Sequence, residues 1–486
     1  MKRFRILFVS ALFIFFAWPA VSAELRLARI FSDRMVLQRE TSAPVWGRAR
    51  SNSAVTVKTS WNGASVTVRS DADGKWKAFV ETGAAGGPYT LSVSCGKEKI
   101  EVQDIMLGEV WVCSGQSNME MPLRGFGFQE VEGAREAILS APETASQVRV
   151  FDIRTPKCTQ EQEDVDARWN YTTSAVAAET SAVGYFFARR LSATLGVAVG
   201  IIVNPWGGSR IEPWMTRKAI EDAGITAEEM AAIDAIEEKP DRWPETPELI
   251  WNGRMAPVAG YAAKGFLWYQ GCSNIGQECY DKLQASMVRL WRERWGRGDI
   301  PFIFALLAPY SHGNSDGRWR PHFVEVQLRS LNLIPNSYAV CTETLGSEVT
   351  VHPSKKKEVA DMMYMQALQC AYSINPGISI ALPTLKAALF GADGKVKITL
   401  SEVWSDLGSV ASRKVTGFEL AGEDRVFYSA EAEIDESGNA VLVQCPQVQS
   451  PVAVRYAFRN WMGANLQKTL GIPVPPFRTD DWPWWE

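Results

Sequence analysis

From Leu25 to about Asp104, apolar and polar residues alternate in short runs, "AVTVKTSW", "ASVTVRS", "YTLSVSC" and "KIEVQDI", broken by turn sequence such as "DADGKW". A period of two buries one face of a strand, so this region, residues 24–105, predicts a β-sandwich domain. The pattern changes after Ile105. "EVWVC", "VAVGIIVNPW", "KGFLWYQ", "PFIFALLAPY" and "YAVCTE" are continuous apolar runs rich in β-branched and aromatic residues, as expected of strands buried on both faces. Helical stretches lie between them. In "TSAVGYFFARRLSATLG", Val183, Phe186, Phe187, Leu191 and Leu195 share one face behind a Thr180/Ser181 cap. Five such strands with intervening helices predict a parallel sheet covered on both sides, an α/β/α domain over residues 106–372. Alternation then returns in "VKITLSEV", "KVTGFELAG", "VFYSAEAEI", "AVLVQCP" and "PVAVRYAF". Residues 373–486 therefore predict a second β-rich domain.

Polar residues cluster where the long apolar runs stop. Ser-Gly-Gln-Ser-Asn follows "EVWVC", Pro205 to Trp214 follows "GIIVN", Gln270 to Asn274 follows "GFLWY", and a loop to Val351, His352 and Pro353 follows "YAVCTE". Ligands of parallel α/β sheets bind beyond the carboxyl ends of the strands. Four strand ends thus converge on one candidate site.

Composition narrows the function. Residues 1–23 run from basic to apolar to Val21-Ser22-Ala23, the layout of a secretory signal peptide cut after Ala23, which predicts a secreted or periplasmic protein with no stable membrane insertion afterwards. A formal charge of −4 gives no electrostatic case for nucleic acid. The eight cysteines are scattered without any metal-like spacing, so neither zinc nor a redox dithiol is expected.

Histidine is scarce: His312, His322 and His352 are the three present. His312 sits in a polar, glycine-rich loop and His322 at the start of a helical stretch, both structural positions. His352 lies between the last strand and the helix of "PSKKKEVADMMYMQAL", where a base can reach a nucleophile on the first strand. Of the two serines in "VCSGQSNMEM", Ser114 reads as a turn residue. Ser117, farther out and at a helix start, reads as an exposed hydroxyl beside amides that can donate to an anion.

The blocks "GEVWVCSGQSNMEM", "NPWGGSRIEPW", "WNGRMAPVAGYAAKGFLWYQG", "APY" and "HPSKKKEVA", with "IFSDRMVLQRETSAPVWGRA" and "SPVAVRYAF" outside them, resemble the sialate O-acetylesterases, a branch of the SGNH (GDSL-like) hydrolases. The resemblance spans essentially the whole chain after the leader. It implies a flavodoxin-like α/β/α esterase domain with β domains at both ends, and removal of O-acetyl groups from a sugar or glycan. It implies Ser117 as nucleophile and His352 as general base. The oxyanion donors it implies are the amide of Ser117, an amide of the Gly207-Gly208 turn with Gly208 preferred, and a side-chain amide from Gln270 or Asn274. Two-step acyl transfer of this kind calls for no metal or cofactor.

Two positions depart from the family pattern. Cys272 stands where the family usually has glutamate, within "YQGCSN"; a second nucleophile there is the weaker reading, because Ser117 already occupies the expected turn. Thr350 stands where an aspartate often precedes the histidine by two residues. Glu348 could replace that acid, or a backbone carbonyl or Thr350 could orient His352 and leave a Ser–His dyad. Trp206, Trp214, Trp251 and Trp268 flank the motifs; most are expected in the core and one against substrate. The expected substrate is 9-O-acetyl sialic acid. The alternatives are an esterase for xylan or another acetylated polysaccharide, and a sugar-binding relative without catalysis.

Overall fold

The computed structural model describes residues 24–239, 243–375, 377–409 and 412–483, so the leader at 1–23 lies outside the described residues. At the N-terminal end, Arg26–Leu27, Thr41–Arg48 and Lys75–Thr82 form one antiparallel sheet. Ala54–Thr59, Ser65–Arg69 and Gly86–Cys95 form the other. Along Lys75–Thr82 every second residue is buried, with Trp76, Ala78 and Val80 turned to the core, which is the period-two reading in its simplest form.

The next strand, β1, runs without interruption from Glu98 to Gly115. Its first half pairs antiparallel with Gly86–Cys95, and its second half is a central strand of the catalytic sheet. The change of pattern at Ile105 is therefore a change of partners within one strand. Gln38 ties the two halves: its Oε1 accepts from the Val110 amide at 2.9 Å and its Nε2 donates to Glu109 at 2.9 Å.

Six parallel strands build the central sheet: β1, β2 (Val148–Asp152), β4 (Val199–Pro205), β5 (Gly265–Tyr269), β6 (Phe302–Ala305) and β7 (Ser337–Val340). An antiparallel edge strand, β3 (Trp169–Tyr171), pairs with β2, and the order across the sheet is β3-β2-β4-β1-β5-β6-β7. Five of these strands are the predicted apolar runs; β2 and β3 lie in stretches the apolar pattern does not mark. Ser114 is not in a turn. It is fully buried within β1, opposite Asn204 and Trp268.

Helix α2 (Ala182–Leu195) begins behind Ser181, whose Oγ accepts from the Gly184 amide at 3.1 Å. It buries Val183, Phe186, Phe187 and Leu191 on one face of the sheet beside α5 (Lys356–Tyr372). Helices α3 (Tyr280–Trp295) and α4 (Trp319–Arg329) lie in the other core, with Trp214, Trp268 and Trp291. The fold is α/β, of SGNH/GDSL-like type.

The C-terminal region is β-rich, with a five-stranded sheet and a four-stranded one over a separate core that includes Val441, Val454 and Tyr456. Arg320 of α4 joins it to the catalytic sheet. Its guanidinium pairs with buried Glu343 at 2.6 Å and donates to the Arg459 carbonyl at 3.0 Å.

Candidate active site

Three strand ends stand level. Gly115 is in register with Pro205 on one side and Tyr269 on the other, so the loops starting at Gln116, Trp206 and Gln270 leave the sheet side by side. Gly115 has φ +140°, and a Cβ there would lie 2.3 Å from the Tyr269 carbonyl oxygen; only glycine fits this turn. Gln116 then locks the loops together. Its amide donates to Tyr269 O at 3.0 Å and its Oε1 accepts from the Gly271 amide at 2.8 Å.

The turn delivers Ser117 as the first residue of α1 (Ser117–Glu120). His352 arrives from beyond β7. Ser117 Oγ lies 2.7 Å from His352 Nε2. The imidazole's other nitrogen, Nδ1, lies 2.8 Å from Gln129 Oε1, an acceptor with no proton to give, so Nδ1 carries the hydrogen and Nε2 presents its lone pair to the serine hydroxyl. Burial, together with the charge of Lys356, holds the His352 imidazole down to about 4. It is therefore neutral, and able to accept a proton, through the weakly acidic and neutral range.

None of the three groups considered from sequence for the far side of His352 occupies that place. Glu348 is exposed, and its carboxylate accepts from Ser315 at 3.5 Å. Thr350 does not touch the ring; its Oγ1 accepts from the His352 amide at 3.1 Å and from Gln129 Nε2 at 2.8 Å. Gln129 escaped the sequence reading because it lies in the loop between β1 and β2, 223 residues from its partner. The one local signal is "RGFGFQE", a glycine-punctuated turn.

The Gly207-Gly208 turn sits beside the nucleophile: a Cβ on Gly207 would be 3.6 Å from that of Ser117. The Gly207 amide is spent on Glu120 Oε2 at 2.8 Å, which leaves the Gly208 amide as the donor of the pair. Ser273 Oγ donates to Gly208 O at 2.9 Å and fixes the turn from behind. Gln270 and Asn274 are fully buried. Gln270 Nε2 donates to Ser209 O at 3.1 Å and to Asn274 Oδ1 at 2.7 Å, while Asn274 Nδ2 donates to Glu212 at 3.1 Å and to Gln277 at 2.5 Å. All four amide hydrogens are committed. In this state the two side chains hold the glycine turn rather than offer a free donor.

Cys272 packs behind the site, where burial pushes its thiol up to about 11, so it is a thiol and not a thiolate nucleophile at neutral pH. His322 is held between Glu278 at 2.5 Å and Glu325 at 3.2 Å on α4, and the His312 ring stacks against Tyr310 at 4.7 Å. Trp214, Trp251 and Trp268 are fully buried. Trp206 is half-buried beneath the Arg254 guanidinium, 3.8 Å from the ring centroid. A further tryptophan, Trp243, is 46% exposed and lies over the turn: a Cβ on Gly208 would come within 2.4 Å of its indole. Among the described residues no group of His, Cys, Asp and Glu side chains could hold a metal ion, and no helix is long and apolar enough to cross a membrane.

An SGNH-like sheet with a serine–histidine pair at its carboxyl edge defines the class of the protein, a carboxylic ester hydrolase. Within that class, residues 107–369 match the model of the carbohydrate esterases of the sialic acid-specific acetylesterase type, and the chain belongs to that family. Sialate O-acetylesterases of Pongo abelii and Homo sapiens are each 28% identical to it over 93% of this chain and 92% of theirs. The crystal structure of a carbohydrate acetylesterase from Xanthomonas citri superposes with a TM-score of 0.82 at 33% identity, covering 94% of this chain and all of that one.

Proposed function

We propose that this protein is an exported esterase that removes O-acetyl groups from carbohydrate by acyl transfer through Ser117 and His352. The observation that carries the reading is the 2.7 Å contact between Ser117 Oγ and His352 Nε2, within the reach a general base needs. Ser117 Oγ bonds to the acetyl carbonyl carbon as its proton passes to His352 Nε2, and the carbonyl electron pair moves onto oxygen. The amides of Ser117 and Gly208 receive that oxyanion. As the carbonyl re-forms, the bond to the sugar oxygen breaks and His352 returns the proton to that oxygen. Water then repeats the sequence on the acetyl-enzyme, and acetate leaves with Ser117 restored.

The relatives point to 9-O-acetyl sialate as the substrate. One observation favours a second reading, a neutral acetylated polysaccharide such as xylan. The depression beside the site is lined by Glu120, Asp152 and Glu179 with Arg124 and Arg154. Arg154 pairs with Asp152 at 2.9 Å and Arg124 with Glu179 at 2.7 Å. Three carboxylates against two guanidiniums, each already paired, offer little to a sialate carboxylate.

The test is acetate release from 9-O-acetyl sialic acid, acetyl-xylan and p-nitrophenyl acetate, with Ser117→Ala in parallel. Release that is abolished in the variant supports the reading. No release from any ester, or release that survives the substitution, overturns it, and the ratio between the two glycans decides the substrate.

A further inference from the structure

A neutral side chain occupies the place where an esterase of this design usually has a carboxylate. Gln129 Oε1 meets His352 Nδ1 at 2.8 Å, and the other end of the same amide donates to Thr350 Oγ1 at 2.8 Å. Thr350 Oγ1 also receives the His352 amide at 3.1 Å. The three groups close a small ring around the imidazole, in which Thr350 accepts twice and Gln129 bridges. Gln129 is itself held by a tight turn: its amide donates to Phe126 O at 2.7 Å and its carbonyl accepts from the Phe126 amide at 2.9 Å. Phe126 lays its ring edge on the His352 ring, 5.3 Å between centroids. The imidazole is thereby fixed in plane, in tilt and in tautomer.

An amide in this place is ambiguous in a way a carboxylate is not. With Oε1 toward the ring, Nδ1 keeps its hydrogen and Nε2 is a base. Turned over, the NH2 group would face Nδ1, the hydrogen would sit on Nε2, and the Ser117 proton would have no acceptor. An asparagine at the acid position of a serine protease costs about 10⁴ in rate through that wrong tautomer. Here the Thr350 oxygen gives the NH2 end somewhere else to go.

We propose that Gln129 is a positioning residue for His352, and that Thr350, at the position where the family often has aspartate, sets the direction of its amide so that Nε2 faces Ser117 unprotonated. The proposal rests on the esterase reading of Ser117 and His352, and it deepens it. A neutral partner settles the tautomer and does nothing for the charge of the imidazolium that forms during reaction. The other groups around the ring do not supply that charge. Lys356 on α5 is cationic, Phe126 is apolar, and Glu132, from the stretch after Gln129, accepts from Ser354 at 2.6 Å. The site is built for the right proton position without the electrostatic help of an acid.

The experiment separates tautomer from activity. With three histidines in the chain, 15N-histidine labelling of the full-length mature protein gives a spectrum simple enough to assign by His352→Ala. At pH 7 the wild type is expected to show His352 protonated at Nδ1 only. Gln129→Ala is expected to show both tautomers and to lose about 10² to 10⁴ in kcat with KM within a few-fold. Thr350→Val should lose about tenfold in kcat, and Thr350→Ser should restore it, because only the acceptor oxygen is used. Gln129→Glu, which keeps the shape, should move the acid limb of the pH–rate profile upward by at least about one unit, since an adjacent carboxylate favours the imidazolium.

An Nε2-protonated His352 in the wild type, a tautomer unmoved by Gln129→Ala, or a pH profile unmoved by Gln129→Glu would each overturn the proposal. Activity that survives Ser117→Ala overturns the esterase reading instead, and leaves the spectroscopic result standing by itself.

Discussion

Lys356 Nζ donates to Asn118 Oδ1 at 2.6 Å, and the amide nitrogen of the same Asn118 donates to Val351 O at 3.0 Å. Asn118 follows the serine and Val351 precedes the histidine, so one side chain spans the backbones on which both reacting groups are carried. Lys356 anchors that span from α5. Its ammonium is fully buried, and burial brings it down to about 7. No acidic group is in reach to compensate it; Cys272, where the family usually has glutamate, is the nearby partner and is held as a thiol.

This arrangement has a signature in stability. Lys356 is lowered from its ordinary 10.5, so the unfolded chain holds the proton more tightly than the folded one. Between those two values stability rises with pH, because the native state is freed of a buried charge that the unfolded state keeps in water. Thermal melts from pH 7 to 10 are therefore expected to show wild type gaining steadily on Lys356→Met. Parallel curves for the two proteins would mean that the lysine is not buried as a strained cation.

The acid limb of kcat/KM reports the base in the free enzyme. With His352 held down to about 4, that limb is expected near pH 4 to 5 rather than near the ordinary histidine value of about 6.5. Lys356→Met removes a nearby positive charge and should move the limb upward. A wild-type midpoint at 6.5 would contradict the buried, uncompensated setting of the imidazole.

Trp243 offers an exposed ring beside the oxyanion turn, and apolar sugar faces stack on such rings. Removing it with Trp243→Ala should raise KM for an acetylated oligosaccharide about tenfold, the equivalent of 1.4 kcal/mol. The acetyl group of p-nitrophenyl acetate does not need the ring, so its kinetics should stay within about twofold. Equal losses on both esters would instead place Trp243 in support of the turn.

Arg320 and Glu343 are a buried pair, 0% and 3% exposed. Arg320→Met leaves the carboxylate buried without its partner and should cost about 3–5 kcal/mol, whereas Arg320→Met with Glu343→Leu should cost far less. Denaturant melts of the single and double variants check the difference. Similar losses in both would show that the contact of Arg320 with the Arg459 carbonyl, and not the ion pair, holds the C-terminal region in place.

The sheet and its loops were legible because buried parallel strands are written as unbroken apolar runs, and because the rule that ligands lie at strand ends needs no more than the order of those runs. Ser117, Gly208, Gln270 and His352 could be named on that basis and from the family motifs. β2 was not legible: Arg149 interrupts "VRVFD", and only the fold reveals that it turns to Asp104 at 2.9 Å. Gln129 and Trp243 lie in polar, irregular stretches with no periodicity to mark them, and their roles exist only through contacts made across the fold. The exchange of an acid for Gln129 was invisible for a further reason. Thr350 looked like a loss, while its replacement came from another loop altogether.

The strand from Glu98 to Gly115 has one more consequence. The segment that ends at the nucleophile turn begins in the N-terminal sheet, and Gln38 supplies hydrogen bonds to it that no residue of the catalytic domain provides. A fragment starting at residue 106 would begin in the middle of that strand, with its Val110 amide and Glu109 carboxylate stripped of those partners. The N-terminal domain is thus less an accessory module than one end of a rod whose other end holds Ser117, and the two should melt together or not at all.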